Sequence, residues 1–246
     1  MNSLKKYLDK RFEKLKHLLQ GYHHLHDRDT LHHLRIEIKK IKTIINLIHF
    51  GHPKFKRHAN FIPFRSISRR AGEIRESEVL YQLLLTYEID GVADEYIPKS
   101  IEADQLSIDF QKQVPEFVDI VKERKNKLLK NYKEVSTDSY HDYVKKCKRQ
   151  LKPLLFPNLQ RTKLHAARKL IKEILHLREL GGRAKKDMFL RNAENLIGQW
   201  HDKQVLLLLL NKIKRTEKAN QLRAKSRQDL LELKKVTTHY YTVDKR

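Results

Sequence analysis

A single cysteine, Cys147, stands among 246 residues, which excludes an internal disulfide framework and fits a reducing compartment. Only 7 Gly and 6 Pro occur, too few for the close, even turn spacing of a strand-rich fold. Long apolar runs are missing as well. The longest, Val205 to Leu210, falls far short of the roughly 20 residues that span a bilayer. The N-terminus, Met1 to Tyr7 followed by Leu8-Asp9-Lys10-Arg11, lacks the apolar stretch of a secretory signal. The expectation is a soluble, cytoplasmic protein with no membrane partner. Negative charge is scarce: 30 Asp plus Glu face 53 Lys plus Arg, a net charge of +23 with a pI near 10.0. That excess goes beyond what solubility needs and repels itself in a compact chain, so a polyanionic partner is expected.

What is present is helical patterning. Gly21, Gly51-His52-Pro53, Gly91 to Pro98, Pro115, Pro153 to Pro157 and Gly181-Gly182 divide the chain into long amphipathic segments. The expected fold class is all-α, with helices over 2–19, 28–49, 54–70, 75–89, 103–132, 138–151, 160–180, 184–199, 201–214 and 216–235. Asp29 and Thr30 read as caps of the second helix. The tail from Thr237 to Arg246 is β-prone without a partner, and is expected to fray or to pack as a short extension.

Two short patterns recur in the same order. His-x-x-Arg-x-x-x-Lys stands at His32, Arg35 and Lys39, and again at His165, Arg168 and Lys172. Gly-x-x-(Arg/His)-(Glu/Asp)-x-x-Val-Leu follows at Gly72 to Leu80 and at Gly198 to Leu206. Two motifs in register, twice, indicate an internal duplication, and the halves are expected at 1–102 and 103–246.

In the first copy Leu31, Leu34, Ile38, Ile41, Ile45 and Ile48 form an apolar stripe. His32, Arg35, Lys39 and Lys42 repeat with the same spacing one residue on, so at about 100° per residue they border the buried stripe. In the second copy Leu164, Ala167, Ile171 and Ile174 form the core stripe, beside Arg161, His165, Arg168, Lys172 and His176. Lys40 and Lys42 correspond there to Glu173 and Leu175, so the two halves should contribute unequally. A basic run on one helix is ordinarily a solvated face; recurrence in register argues for more. His32 and His165 admit two roles, packing and phosphate contact, while His33 reads as a bystander.

The glycine signatures read as structural. Arg75 with Glu76 and Glu78, and His201 with Asp202, suit ion pairs fixing a helix junction, and Gly72 and Gly198 would permit close helix approach. Aligned on those glycines, Arg65 and Arg191 are equivalent. Arg65 and Arg69, with Arg70, are candidates for a second basic wall.

The string Leu31 to Lys42, its echo Leu164 to Lys172 and the two glycine signatures together resemble the CHAD family, the conserved histidine α-helical domain, over nearly the whole chain. The resemblance implies two helical bundles related by a pseudo-twofold axis, a basic central groove or pore, and binding of inorganic polyphosphate with association to polyphosphate granules. It implies a stand-alone binding module, since the Glu-x-Glu-x-Lys strand motif of the often-linked CYTH triphosphate hydrolases is absent. The chain departs from the family in Glu76 and Glu78, where aspartates are common, and in Glu173 and Leu175.

Polyphosphate also fits the residues physically: a dense linear charge without bases calls for many charge-assisted hydrogen bonds, forked from Arg and point-like from Lys. Nucleic acid is the competing polyanion. The stripes are not interleaved with aromatics for base stacking, and Phe50, Phe55, Phe61, Phe64 and Phe156 read as core. Catalysis is not expected. The sequence has no phosphate-binding Gly-x-x-x-x-Gly-Lys-(Ser/Thr) loop, no His-Glu-x-x-His and no clustered cysteine ligands, and neither metal nor cofactor is called for. His23, His24 and His26 read as a solvated turn, and Asp94, Glu95 and Asp202 lack the repeated spacing of a metal site.

Overall fold

The computed structural model describes residues 4–25, 28–87, 97–182, 187–212 and 216–243. Among them are eight α-helices and no strand: α1 (Leu4–Leu25), α2 (Arg28–Gly51), α3 (Arg57–Thr86), α4 (Ile97–Lys130), α5 (Thr137–Leu155), α6 (Leu164–Leu180), α7 (Met188–Lys212) and α8 (Thr216–Val243), with a 3₁₀ turn at Arg161–Lys163 before α6. The fold is all-α, and none of the described helices is long and apolar enough to cross a membrane.

Two compact units divide the chain, Met1–His141 and Asp142–Arg246. In the first, α1 packs on α2, α2 on α3, α3 on α4 and α4 back on α1, closing a ring of four helices. The expected stripe is its centre: Leu31, Leu34, Ile38, Ile41, Ile45 and Ile48 are at most 1% exposed, against Phe12, Leu15 and Leu19 of α1 and Phe64 and Ile67 of α3. In the second, α7 packs on both α6 and α8, and Leu164, Ala167, Ile171 and Ile174 are fully buried. The halves at 1–102 and 103–246 follow the repeat. The compact units follow packing instead, because α4 completes the first ring.

Several expected breaks do not interrupt their helices. α1 runs past Gly21 to Leu25, α3 runs from 57 to 86 through Gly72, and α7 runs from 188 to 212 through Gly198. Pro115 and Pro153 lie inside α4 and α5; at Pro115 the burial of Val114, Phe117, Val118 and Val121 offsets the roughly 3 kcal/mol that an interior proline costs a helix. Asp29 is in the first turn of α2 rather than capping it, where a carboxylate suits the helix dipole. The tail is helical to Val243: Thr237 is buried, and Tyr240 stacks on Phe189 with ring centroids 3.7 Å apart. Packing of that end against α7 overrides its β propensity. Most of the Gly91–Pro98 break, with Asp94 and Glu95, and also His26, lie outside the described residues.

Candidate functional site

In the first unit the face begins at Arg35. Its side chain leaves α2 and lies on α3 where Gly72 leaves room: a Cβ added at position 72 would meet Arg35 Nη1 at 2.7 Å, Cζ at 3.0 Å and Nη2 at 3.2 Å. Gly72 thus seats a guanidinium, and the two sequence motifs form one structure. Burial holds the Arg35 pKa below its ordinary value, with the Glu76 charge opposing and the Arg75 charge reinforcing that shift; an arginine stays charged regardless. Among the described side chains, of which that of Glu78 is not one, no carboxylate comes within ion-pairing distance of it. Lys39 and Lys42 are exposed within about 40° of Arg35 around the helix, and Lys42 Nζ stands 5.3 Å above the Phe61 ring. His32, half-buried one turn earlier, borders the same face, its ring centroid 5.8 Å from that of His33.

Lys40 is placed elsewhere. About 140° round from Arg35, its Nζ lies 3.8 Å from Glu37 Oε1. Glu37 is 1% exposed and is also held by Arg11 at 3.3 Å and Lys14 at 3.3 Å. Lys40 therefore belongs to the ionic cluster joining α1 to α2, and it neutralises a buried carboxylate that would otherwise be costly. The second basic wall also narrows. Arg65 is exposed on the Gly72 face of α3, but Arg69 pairs with Glu73 at 3.8 Å and lines a cavity of about 370 Å³ with Arg70, Phe110 and Lys112. Arg70 donates a hydrogen bond to Gln113. Both arginines thus face α4.

The second unit repeats the seat. A Cβ at position 198 would meet Arg168 Nη2 at 2.8 Å and Cζ at 3.2 Å. Here, however, the cations have a partner: Arg168 Nε donates to Glu194 Oε1 at 2.8 Å, and Lys172 Nζ stands 3.1 Å from the same oxygen. Burial pushes the Glu194 pKa up, but hydrogen bonds and charge from Arg168 and Lys172 outweigh it and leave the carboxyl below its ordinary value. His165 is exposed beside His201, ring centroids 6.0 Å apart; partial burial, then Lys169, His201 and Arg168, lower its pKa. His176 is half-buried farther along the helix, Arg161 is exposed in the 3₁₀ turn, and Arg191 is exposed. Arg191 lines a cleft of about 820 Å³ with Lys235, His239 and Tyr240.

Sequence reasoning missed Glu194 and Glu37. Aligning the glycines, which pairs Arg65 with Arg191, also pairs Ser68 with Glu194, and that mismatch was the available signal. Among the described residues no cluster of three His, Cys, Asp or Glu side chains could hold a metal ion.

The geometry defines an all-α protein in which, twice, an arginine of one helix rests on a glycine of the next, flanked by further cations. No family model matches the chain, and no curated protein does. Among solved structures, PptA from Streptomyces chartreusis is similar, with a TM-score of 0.62 at 13% identity over 97% of each chain; it shares the fold.

Proposed function

We propose that this protein binds inorganic polyphosphate without cleaving it, through the Arg35, Lys39 and Lys42 face of the first unit and the His165, Arg168 and Lys172 face of the second. The observation that carries the reading is the repeated guanidinium seat. A glycine in mid-helix costs about 1 kcal/mol relative to alanine, yet at both positions it leaves space filled by the arginine of the other motif. Half-burial orients each planar fork, which suits two-oxygen contact with phosphate, while the adjoining lysines supply charge along a polymer. Such a protein would associate with polyphosphate granules.

Nucleic acid is the lesser reading because the aromatics near cations are already engaged. Phe189 and Tyr240 stack on each other, Lys42 covers Phe61, and Lys152 sits 6.0 Å from Phe156 and 5.9 Å from Tyr241. These rings already have partners, whereas base stacking calls for open ones. The test is a set of isotherms for long-chain polyphosphate, double-stranded DNA and heparin in one buffer near physiological salt, with product analysis after incubation with magnesium or manganese. Tighter binding of polyphosphate at matched phosphate, with the polymer uncut, is expected. Equal or tighter DNA binding would put nucleic acid first, and released orthophosphate would reveal an enzyme.

A further inference from the structure

The duplication supplies its own control, because the two guanidinium seats differ in one respect. Arg35 has no carboxylate within ion-pairing distance among the described side chains, which do not include that of Glu78. Arg168 and Lys172 instead converge on a single oxygen of Glu194, at 2.8 and 3.1 Å, with all three side chains about one-quarter to one-third exposed. One oxygen bridging a guanidinium Nε and an ammonium Nζ is the arrangement that a phosphate oxygen would adopt there. At the position equivalent to Glu194, four residues before the seating glycine, the first unit carries Ser68.

We propose that Glu194 is a resident counter-ion that fills the anion position of the second unit, so that phosphate enters there only by displacing the carboxylate, whereas the first unit carries Ser68, not a carboxylate, at that position. The inference rests on the polyphosphate reading and adds which unit binds first and why. The carboxylate is covalently tethered and faces its partners at high effective concentration. A free phosphate group must outcompete it. A second contact of the same polymer can do so, but an isolated short anion cannot. Glu194 thereby makes the second unit selective for long chains over orthophosphate, tripolyphosphate or sulfate, and spares Arg168 and Lys172 from lying half-buried and uncompensated.

The test uses the full chain and tripolyphosphate as a probe short enough to report one seat. Isothermal titration compares wild type, Glu194→Gln, Ser68→Glu and Arg35→Gln, with Glu194→Gln also placed in the Arg35→Gln background. Glu194→Gln keeps the shape and a hydrogen-bonding oxygen while removing the charge. It should add a second class of sites or tighten binding about tenfold, and it should restore tripolyphosphate binding to Arg35→Gln. Ser68→Glu should weaken binding by a similar factor. Should Glu194→Gln be too unstable to titrate, a larger thermal upshift by tripolyphosphate than in wild type reads the same site. Wild type that binds while Glu194→Gln binds no tighter overturns this inference and leaves the polyphosphate reading standing. Failure of both to bind removes both, and binding by Glu194→Gln alone overturns the inference, because the first unit of the wild type should then have bound.

Discussion

Replacing Gly72 with alanine tests the guanidinium seat directly. The new methyl would stand 2.7 Å from Arg35 Nη1, closer than an unstrained contact, and a tight 3.0 Å from Cζ, so something must move. The obstacle is the far end of a flexible side chain, and Arg35 can swing away without disturbing the helices. Stability should change little: alanine gains up to about 1 kcal/mol over glycine inside a helix, offset by the loss of a packed guanidinium, for a net melting shift within about 4 °C. Affinity should not escape. A hydrogen bond involving a charged group is worth about 1.5–3 kcal/mol, so misplacing the Arg35 fork should weaken polyphosphate binding about tenfold to a hundredfold. Gly198→Ala offers the contrast, since Arg168 is anchored to Glu194 at 2.8 Å; displacing it breaks an ion pair and should lower the melting temperature further than Gly72→Ala does. Calorimetric melting and titration on the same preparations measure both. If Gly72→Ala binds polyphosphate as wild type does, Arg35 does not act from its seat and the central geometric argument is wrong.

Replacing Arg35, Lys39 and Lys42 together with glutamine should weaken binding far more than replacing Lys122, Lys127 and Lys145. The latter remove the same charge from exposed positions paired only within their own helices; equal losses in titration would mean a diffuse cation. Lys125 is unsuited to that control because it bridges Asp9 and Glu13. The His165 imidazole, held below its ordinary 6.5 by burial and by Lys169, His201 and Arg168, should rise when polyphosphate arrives. Binding then takes up a proton, and affinity should grow as pH falls through that range; a histidine NMR titration with and without polymer reads the shift, and an unmoved His165 would exclude it from the site. Burial and the Glu173 charge, opposed by a hydrogen bond from Tyr143, push the Cys147 thiol up to about 12. At pH 8 Cys147 should therefore react with a disulfide reagent only as fast as the second unit opens, and a rapid native reaction would contradict its burial.

The helices were legible in the sequence because their apolar stripes are regular. Every residue of the Leu31–Ile48 stripe is buried. Breaks were harder. The expected helices break near Gly72 and Gly198, and although both glycines read as places of close helix approach, the group that approaches is an arginine 37 or 30 residues earlier that no local rule connects to them. The Thr237–Val243 tail read as β-prone for the same reason: Phe189, nearly 50 residues away, decides its conformation. Within the site, the shared face of Arg35, Lys39 and Lys42 follows from helical periodicity. Lys40, a basic residue of the first copy without a counterpart in the second, is turned by the same periodicity toward Glu37, a carboxylate placed between the core residues Leu34 and Ile38. Glu194 was visible only by comparing the copies position by position, since charge patterning along one helix does not say which carboxylate will meet which cation.

The division into two units also governs what spectroscopy can see. Trp200, the chain's one tryptophan, and Cys147, its one cysteine, both belong to the Asp142–Arg246 unit, with Trp200 two residues past the Gly198 seat. Tryptophan emission and thiol labelling are therefore private reporters of that unit, while the four-helix ring before it is dark to both. A tryptophan-detected melt follows the later helices alone, whereas circular dichroism sums the two. Should the ring and the later unit unfold at different temperatures, the two traces will part, and the interval between them measures their independence without a label or a truncation.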